Sequence, residues 1–284
     1  MTFAPSTSTS AAVRTSHAAV RPTHRPGMTD LMRGEWTKLK SLRSTWWSLA
    51  TMIVLSLGFT IAACAVYTSK FQHLDASTQT EFRQDTIGLI LQPGVQFASL
   101  AVCVLGAMLI AGEYSTGMIR ATMLAEPRRT RALLAKAGTF ALFMYVVSEM
   151  VAIPAFFIGS AITRSHASVS ITDPTTIRAI LLFGVFMAAM GLIALSIGAL
   201  VRHTAAAVTI VLALQFVLPG VLSLIPGSAG EHLSNALPQG ASVIVSSGHN
   251  LSNVYSPAQA GLILLGWVVV LGGVALAAVK RRDV

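Results

Sequence analysis

Residues 112–137 read GEYSTGMIRATMLAEPRRTRALLAKA. They interrupt two apolar stretches, 90–111 and 139–162, with a polar and strongly basic segment. Within it, Gly117 permits a sharp turn, because glycine enters left-handed backbone without steric cost. Met118, Ile119, Thr122 and Met123 then form the apolar face of a helix about two turns long. Pro127 suits the first turn of the next helix, where its missing N–H would have no partner anyway. Arg128, Arg129, Arg131 and Lys136 follow on that helix. Two readings fit these residues. One is a short amphipathic helix shaped to dock in a groove of a soluble partner. The other is a basic loop whose charge only orients the chain in a membrane.

Outward from this stretch, composition sets the class. The chain is 54% hydrophobic and only 11% charged, whereas ordinary globular domains carry about a quarter charged residues. So few charges cannot cover a water-soluble surface, and the expected fold class is an all-α integral membrane protein. A net charge of +9 could suit nucleic acid, but the basic residues sit beside apolar spans, so no nucleic-acid partner is expected. Cys64 and Cys103 both fall within apolar runs and read as packing residues.

Six spans are predicted, at about 46–67, 90–111, 139–162, 177–200, 205–225 and 258–279, each close to the ~20 residues that cross a hydrocarbon core. Basic residues crowd four places: the N-terminal flank, the 112–137 loop, Arg202 in the fourth loop, and Lys280, Arg281 and Arg282 at the C-terminus. The opposite side holds Lys70, Arg83, Arg164 and Arg178. This asymmetry places both termini and the 112–137 loop in the cytoplasm. The expected localisation is a bacterial plasma membrane, with multiple passes through the lipid bilayer.

Three regions follow. Residues 1–29 are rich in Ser, Thr, Ala and Pro and read as a disordered cytoplasmic tail. Residues 30–45 read as an interfacial helix, since Met32, Trp36, Leu39, Leu42 and Trp46 recur every three or four positions among Arg33, Lys38, Lys40 and Arg43. Trp36, Lys38, Lys40, Arg43 and Trp46 suit the headgroup plane, and Asp30 can cap the helix start. A plain basic flank that orients the first span is compatible with the same residues. Residues 46–284 form the six-span domain. Its last external loop, 226–257, carries a short apolar piece at 241–245 and either dips back into the membrane, forms short helices over the exit or is an ordinary exposed loop.

Chemistry-bearing residues are few. Glu149 is the one acid deep within a span. A carboxylate at that depth costs about 2.5–3.5 kcal/mol, so it should face the bundle interior. It reads as a substrate contact or proton acceptor, or as a structural hydrogen-bonding group. Gln92, Gln96 and Gln215 read as helix–helix hydrogen-bonding residues. No two histidines share ligand spacing on a helical turn, so no metal is expected, and no cofactor either. No G-x-x-x-x-G-K-[ST] phosphate loop occurs, so the chain is expected not to be an enzyme that hydrolyses ATP by itself.

From about Leu31 onward the chain resembles permease subunits of ATP-binding-cassette (ABC) transporters, in the type-2 exporter branch. Glu113, Gly117, Pro127, Arg128, Arg131 and Lys136 match the family's loop after the second span, although Thr116 precedes Gly117 where the family has Gly-Thr. EWTKLKSLRSTWW is similar to the N-terminal connecting helix of actinobacterial members. VRHTAAAVTIVLALQFVLP is similar to their fourth loop and fifth span, and LPQGAS to an external Leu-Pro turn. The resemblance implies a permease that pairs as a homo- or heterodimer and binds two separate ABC ATPase subunits. Residues Ser115, Gly117, Met118, Ile119, Arg120 and Met123, within 115–124, would then form the coupling helix, with Glu113 and Arg128 bracing it. Outside this resemblance, a membrane scaffold or sensor, or a secondary transporter using Glu149 for proton coupling, remain the competing classes.

Overall fold

A computed structural model describes residues 27–119, 128–242 and 255–281. Residues 1–26, most of the predicted tail, lie outside these, as do Arg120, Met123 and Pro127, residues 243–254 and residues 282–284.

The described residues are helical and include no strand. A short helix, α1 (Met28–Ser41), leads into α2 (Arg43–Lys70). A small α3 (Ala76–Gln84) precedes α4 (Thr86–Ser115). Then come α5 (Arg129–Thr163), α6 (Pro174–Val201), α7 (Thr204–Leu222), α8 (Ser228–Asn235) and α9 (Pro257–Arg281). Six of these, α2, α4, α5, α6, α7 and α9, are long and apolar enough to cross a membrane. The chain thus has the build of a multi-pass membrane protein.

The ends of these helices follow from local chemistry. Gly27 caps α1, so Asp30 sits in its first turn, and its carboxylate accepts the Gly27 N–H at 3.0 Å. Asp30 is therefore not the cap residue itself: the cap lies three residues earlier, at Gly27. Leu42, in extended backbone, separates α1 from α2. Asp75, Asp85 and Asp173 each accept a backbone N–H at the start of α3, α4 and α6, satisfying donors that a helix start leaves open. Arg202 closes α6 in left-handed backbone, φ 60°.

α4 and α6 are the central pair: 72% of the most apolar window of each is buried, against 17% for α7 and α9. Lipid tails are as apolar as leucine, so burial alone does not pull such helices together and close van der Waals approach must. The contact is accordingly made of small residues. A Cβ on Gly106 would lie 2.5 Å from the Gly191 carbonyl, and one on Gly198 2.7 Å from that of Ala107. α2 and α5 flank this pair, and α7 packs against α4 and α6.

The 226–257 segment is decided in part. Its 3-10 turn Pro238–Ser242 is buried, with Leu237 and Ala241 inaccessible. It packs on α9, α4 and α6, and the Trp267 indole N–H donates to the Ala236 carbonyl at 2.9 Å.

Candidate functional site: the ionic cluster under the loop after α4

The loop leaves α4 at Ser115, whose hydroxyl turns back to the Gly112 carbonyl. Ser115 thus ends the spanning helix and does not open the next one. Thr116 and Gly117 make the break, and Gly117 has φ +73°, which only glycine adopts without strain. Helical backbone resumes at Met118. The two apolar residues that follow have opposite fates: Met118 is 45% exposed while Ile119 is 5% exposed. Ile119 shares a small internal space with Ile110 of α4, Leu133 of α5 and Val279 of α9. The described start of the loop is therefore seated on three spans and shows one apolar side chain outward.

Directly beneath it lies a cluster of four charges. Lys136, at 3% exposed, donates from its Nζ to Glu113 Oε1 at 2.9 Å and to Glu35 Oε2. Lys38 donates to Glu35 Oε1 at 2.7 Å and to Glu113 Oε1 at 3.3 Å. Among the described residues two carboxylates and two ammonium groups alternate, so their charges balance. It joins α1, the end of α4 and the start of α5. Burial by itself would raise the Glu35 carboxyl, but the charges and hydrogen bonds of Lys136 and Lys38 outweigh it and hold it below its ordinary value of 4.5. Burial would lower Lys38, yet its hydrogen bonds and the charges of Glu35 and Glu113 raise it above 10.5. Both directions describe charged partners that hold one another in place.

Glu35 carries no signal in the basic amphipathic reading of α1, although it sits with Leu39 on the helix face that is buried. An acid one turn from leucine on an apolar face is the clue that locates it. Lys38 and Lys136 also differ from their reading as headgroup and flanking charges, because both turn inward. Trp36 meets Phe143 of α5 edge-on at 5.5 Å, with Lys40 over its ring at 4.7 Å. Trp46 stays 60% exposed, its indole N–H donating to the Lys40 carbonyl, while Arg43 opens α2. Arg128 caps α5 and Arg131 stands in its first turn. Glu113 is thus tied to Lys136 and Lys38, and Arg202 lies over the neighbouring Tyr114 ring at 4.8 Å.

The intramembrane polar residues are spread elsewhere. Gln215 lies in a π-helical segment of α7, Ala213–Val217. It donates to Ser99 Oγ and accepts from Cys103 Sγ at 2.9 Å, so it pins α7 to α4. Gln92 donates to Ser242 Oγ at 2.9 Å and Gln96 accepts from Gln239, which ties α4 to the buried turn Pro238–Ser242 and not to another span. Glu149 lies with its Oε1 against Gly184, where any side chain would collide with it, and that oxygen makes no hydrogen bond of ordinary geometry. Among the described residues no group of three His, Cys, Asp or Glu is placed to hold a metal ion. No protein-family model matches the chain, and no curated protein matches it.

Proposed function

We propose that this chain is the transmembrane permease subunit of an ABC exporter, powered by separate ATPase subunits that dock on the loop after α4. The observation that carries the reading is the linkage of that loop to the bundle. Glu113 stands at the end of α4, just ahead of the loop, and its partners reach back to α1 and forward to α5. Breaking a buried charge pair costs about 3–5 kcal/mol, so a push on the loop is delivered to three elements together. A merely topogenic loop would need no such brace.

In this reading both termini face the cytoplasm of a bacterial cell and lie on the same side as the loop. Two permeases pair across the poorly buried faces of the bundle. ATP-driven closure of the ATPases moves the loops and rocks the spans, and substrate passes outward. The chain's own part is mechanical: it receives force, transmits it and shapes the path.

Met118 is the residue to test, because it is exposed whereas Ile119 supports the fold. A co-expressed ABC ATPase should co-purify with the wild-type chain and be lost by at least tenfold from Met118→Asp. Full retention of the ATPase and of ATP-dependent export by an inserted Met118→Asp protein would sink the docking role.

A further inference from the structure

Packing sorts the charges of α1 and the first turn of α2. Between Leu31 and Trp47 the sequence has four cations, Arg33, Lys38, Lys40 and Arg43, and one acid, Glu35. Glu35 is buried and pairs with Lys38 and Lys136, so the acid and one of the four cations go into the ionic cluster. Arg33, Lys40 and Arg43 stay exposed. Among the described residues no carboxylate pairs with any of these three. Asp30, at the start of α1, accepts the Gly27 N–H instead. From Leu31 to Trp47 the outer face therefore carries cations and no acid.

Three tryptophans share this outer face. Trp36, Trp46 and Trp47 are 37%, 60% and 75% exposed. Lys40 is fixed between two of them: its ammonium lies 4.7 Å over the Trp36 ring, and its carbonyl accepts the Trp46 indole N–H at 2.9 Å. Leu42, in extended backbone, makes the corner between the helices. The corner is also the end of a span, since α2 is long and apolar enough to cross a membrane and begins at Arg43.

Exposed cations and exposed indoles at the end of a span select a partner that is anionic on one side and apolar on the other. Indole rings collect at membrane–water interfaces because the ring is apolar and its N–H is polar. A phosphate accepts hydrogen bonds from lysine and, through a planar fork, from arginine. The glycerol and first acyl carbons beside that phosphate cover the rings. A zwitterionic headgroup brings its own cation, which the three positive side chains repel, and a headgroup of net negative charge does not. An acidic segment of a soluble protein would satisfy the cations and leave the indoles uncovered. We propose that the outer face of α1 and the first turn of α2 binds anionic phospholipid headgroups, their phosphates held by Arg33, Lys40 and Arg43 and their glycerol ends against Trp46 and Trp47. This rests on the multi-pass build and is independent of the export reading.

The test uses the full-length chain in a neutral detergent, with no ATPase present, so its result is separate from that of the docking experiment. Energy transfer from tryptophan to dansyl-labelled phosphatidylglycerol reports binding, since three of the four tryptophans stand on this face. Unlabelled phosphatidylglycerol should displace the probe at about tenfold lower concentration than phosphatidylcholine does, as charge attraction at a lipid surface implies. Arg33→Gln with Arg43→Gln should cut that preference about fivefold and leave helicity unchanged. Lys40→Gln should cut it several-fold. Lys280→Gln with Arg281→Gln, which removes exposed cations at the end of α9, should leave it intact. Equal displacement by the two lipids overturns the proposal. So does an undiminished preference in the folded Arg33→Gln, Arg43→Gln protein, or an equal loss in the α9 variant. Displacement by inorganic phosphate or by polyglutamate as effective as that by phosphatidylglycerol would assign the face to a free anion or to an acidic protein instead.

Discussion

Lys136 shows how much one residue can settle at the residue scale. It is nearly inaccessible and touches both carboxylates of the cluster. Replacing it by methionine keeps the volume and leaves Glu35 and Glu113 with Lys38 as their cation among the described residues. The expected loss is about 3–5 kcal/mol, the cost of an uncompensated buried charge. Thermal unfolding in detergent should show it, and adding Glu113→Gln to Lys136→Met should recover part of the loss. Additive losses in the double variant would mean that the two side chains do not share one cluster. The pH dependence follows from the same charges. The Glu35 value is lowered, so its contribution is complete above its ordinary value of 4.5 and vanishes as pH falls through the lowered one. The Lys38 value is raised, so its contribution is complete below 10.5 and fades as pH rises through the raised one. The contribution of Glu35 and Lys38 should therefore be level between about 4.5 and 10.5. Glu35→Gln should flatten the acid limb while sparing much of the alkaline one, and an unchanged acid limb would remove Glu35 from the coupling.

Elements are held together by two different kinds of contact. The α4–α6 pair approaches through glycine, with the backbone of one helix nearly touching that of the other. Gly106→Ala places a methyl group against the Gly191 carbonyl and forces the helices apart. The expected cost is about 1–3 kcal/mol, as for other overpacked cores, read as a lower unfolding temperature. Gly112→Ala, where a Cβ meets nothing within 4 Å, serves as the matched control and should be close to neutral. α1 is attached by charge and by Trp36 instead. It is an amphipathic helix whose polar residues divide between the exposed side and the ionic cluster, so its docking responds to pH and that of α4 on α6 does not.

Over the whole molecule, the proposed topology puts the loop after α4 on one face and the segment between α2 and α4 on the other. Cys64 and Cys103 are both buried, so the chain is a quiet background for labelling. Ser41→Cys, at the exposed end of α1, should react with an impermeant maleimide only when the cytoplasmic face is accessible. Ser77→Cys, on α3, should react in intact cells. Reaction of both from the same side would overturn the orientation.

How much of this was legible in the sequence differs from part to part. The six spans are, because a run of about twenty apolar residues has one stable arrangement in lipid, a helix that satisfies its own backbone. The break at Gly117 is legible for the same local reason: φ +73° needs no tertiary context to be assigned to glycine. The direction of a polar side chain is not. Lys38 and Lys40 look alike in sequence, yet one enters the ion cluster and the other lies over Trp36. Met118 and Ile119 are equally apolar, and only the packing of α4, α5 and α9 decides which is seated and which is offered outward. Glu35 and Glu113 are 78 positions apart in number, and nothing local ties them to each other. Hydropathy and backbone preference are properties of a segment, so the sequence by itself determined the six long apolar helices and the break at Gly117. A neutral buried cluster is a property of three segments meeting, since each charge there is stable only because the others arrive, and that only the tertiary structure decided.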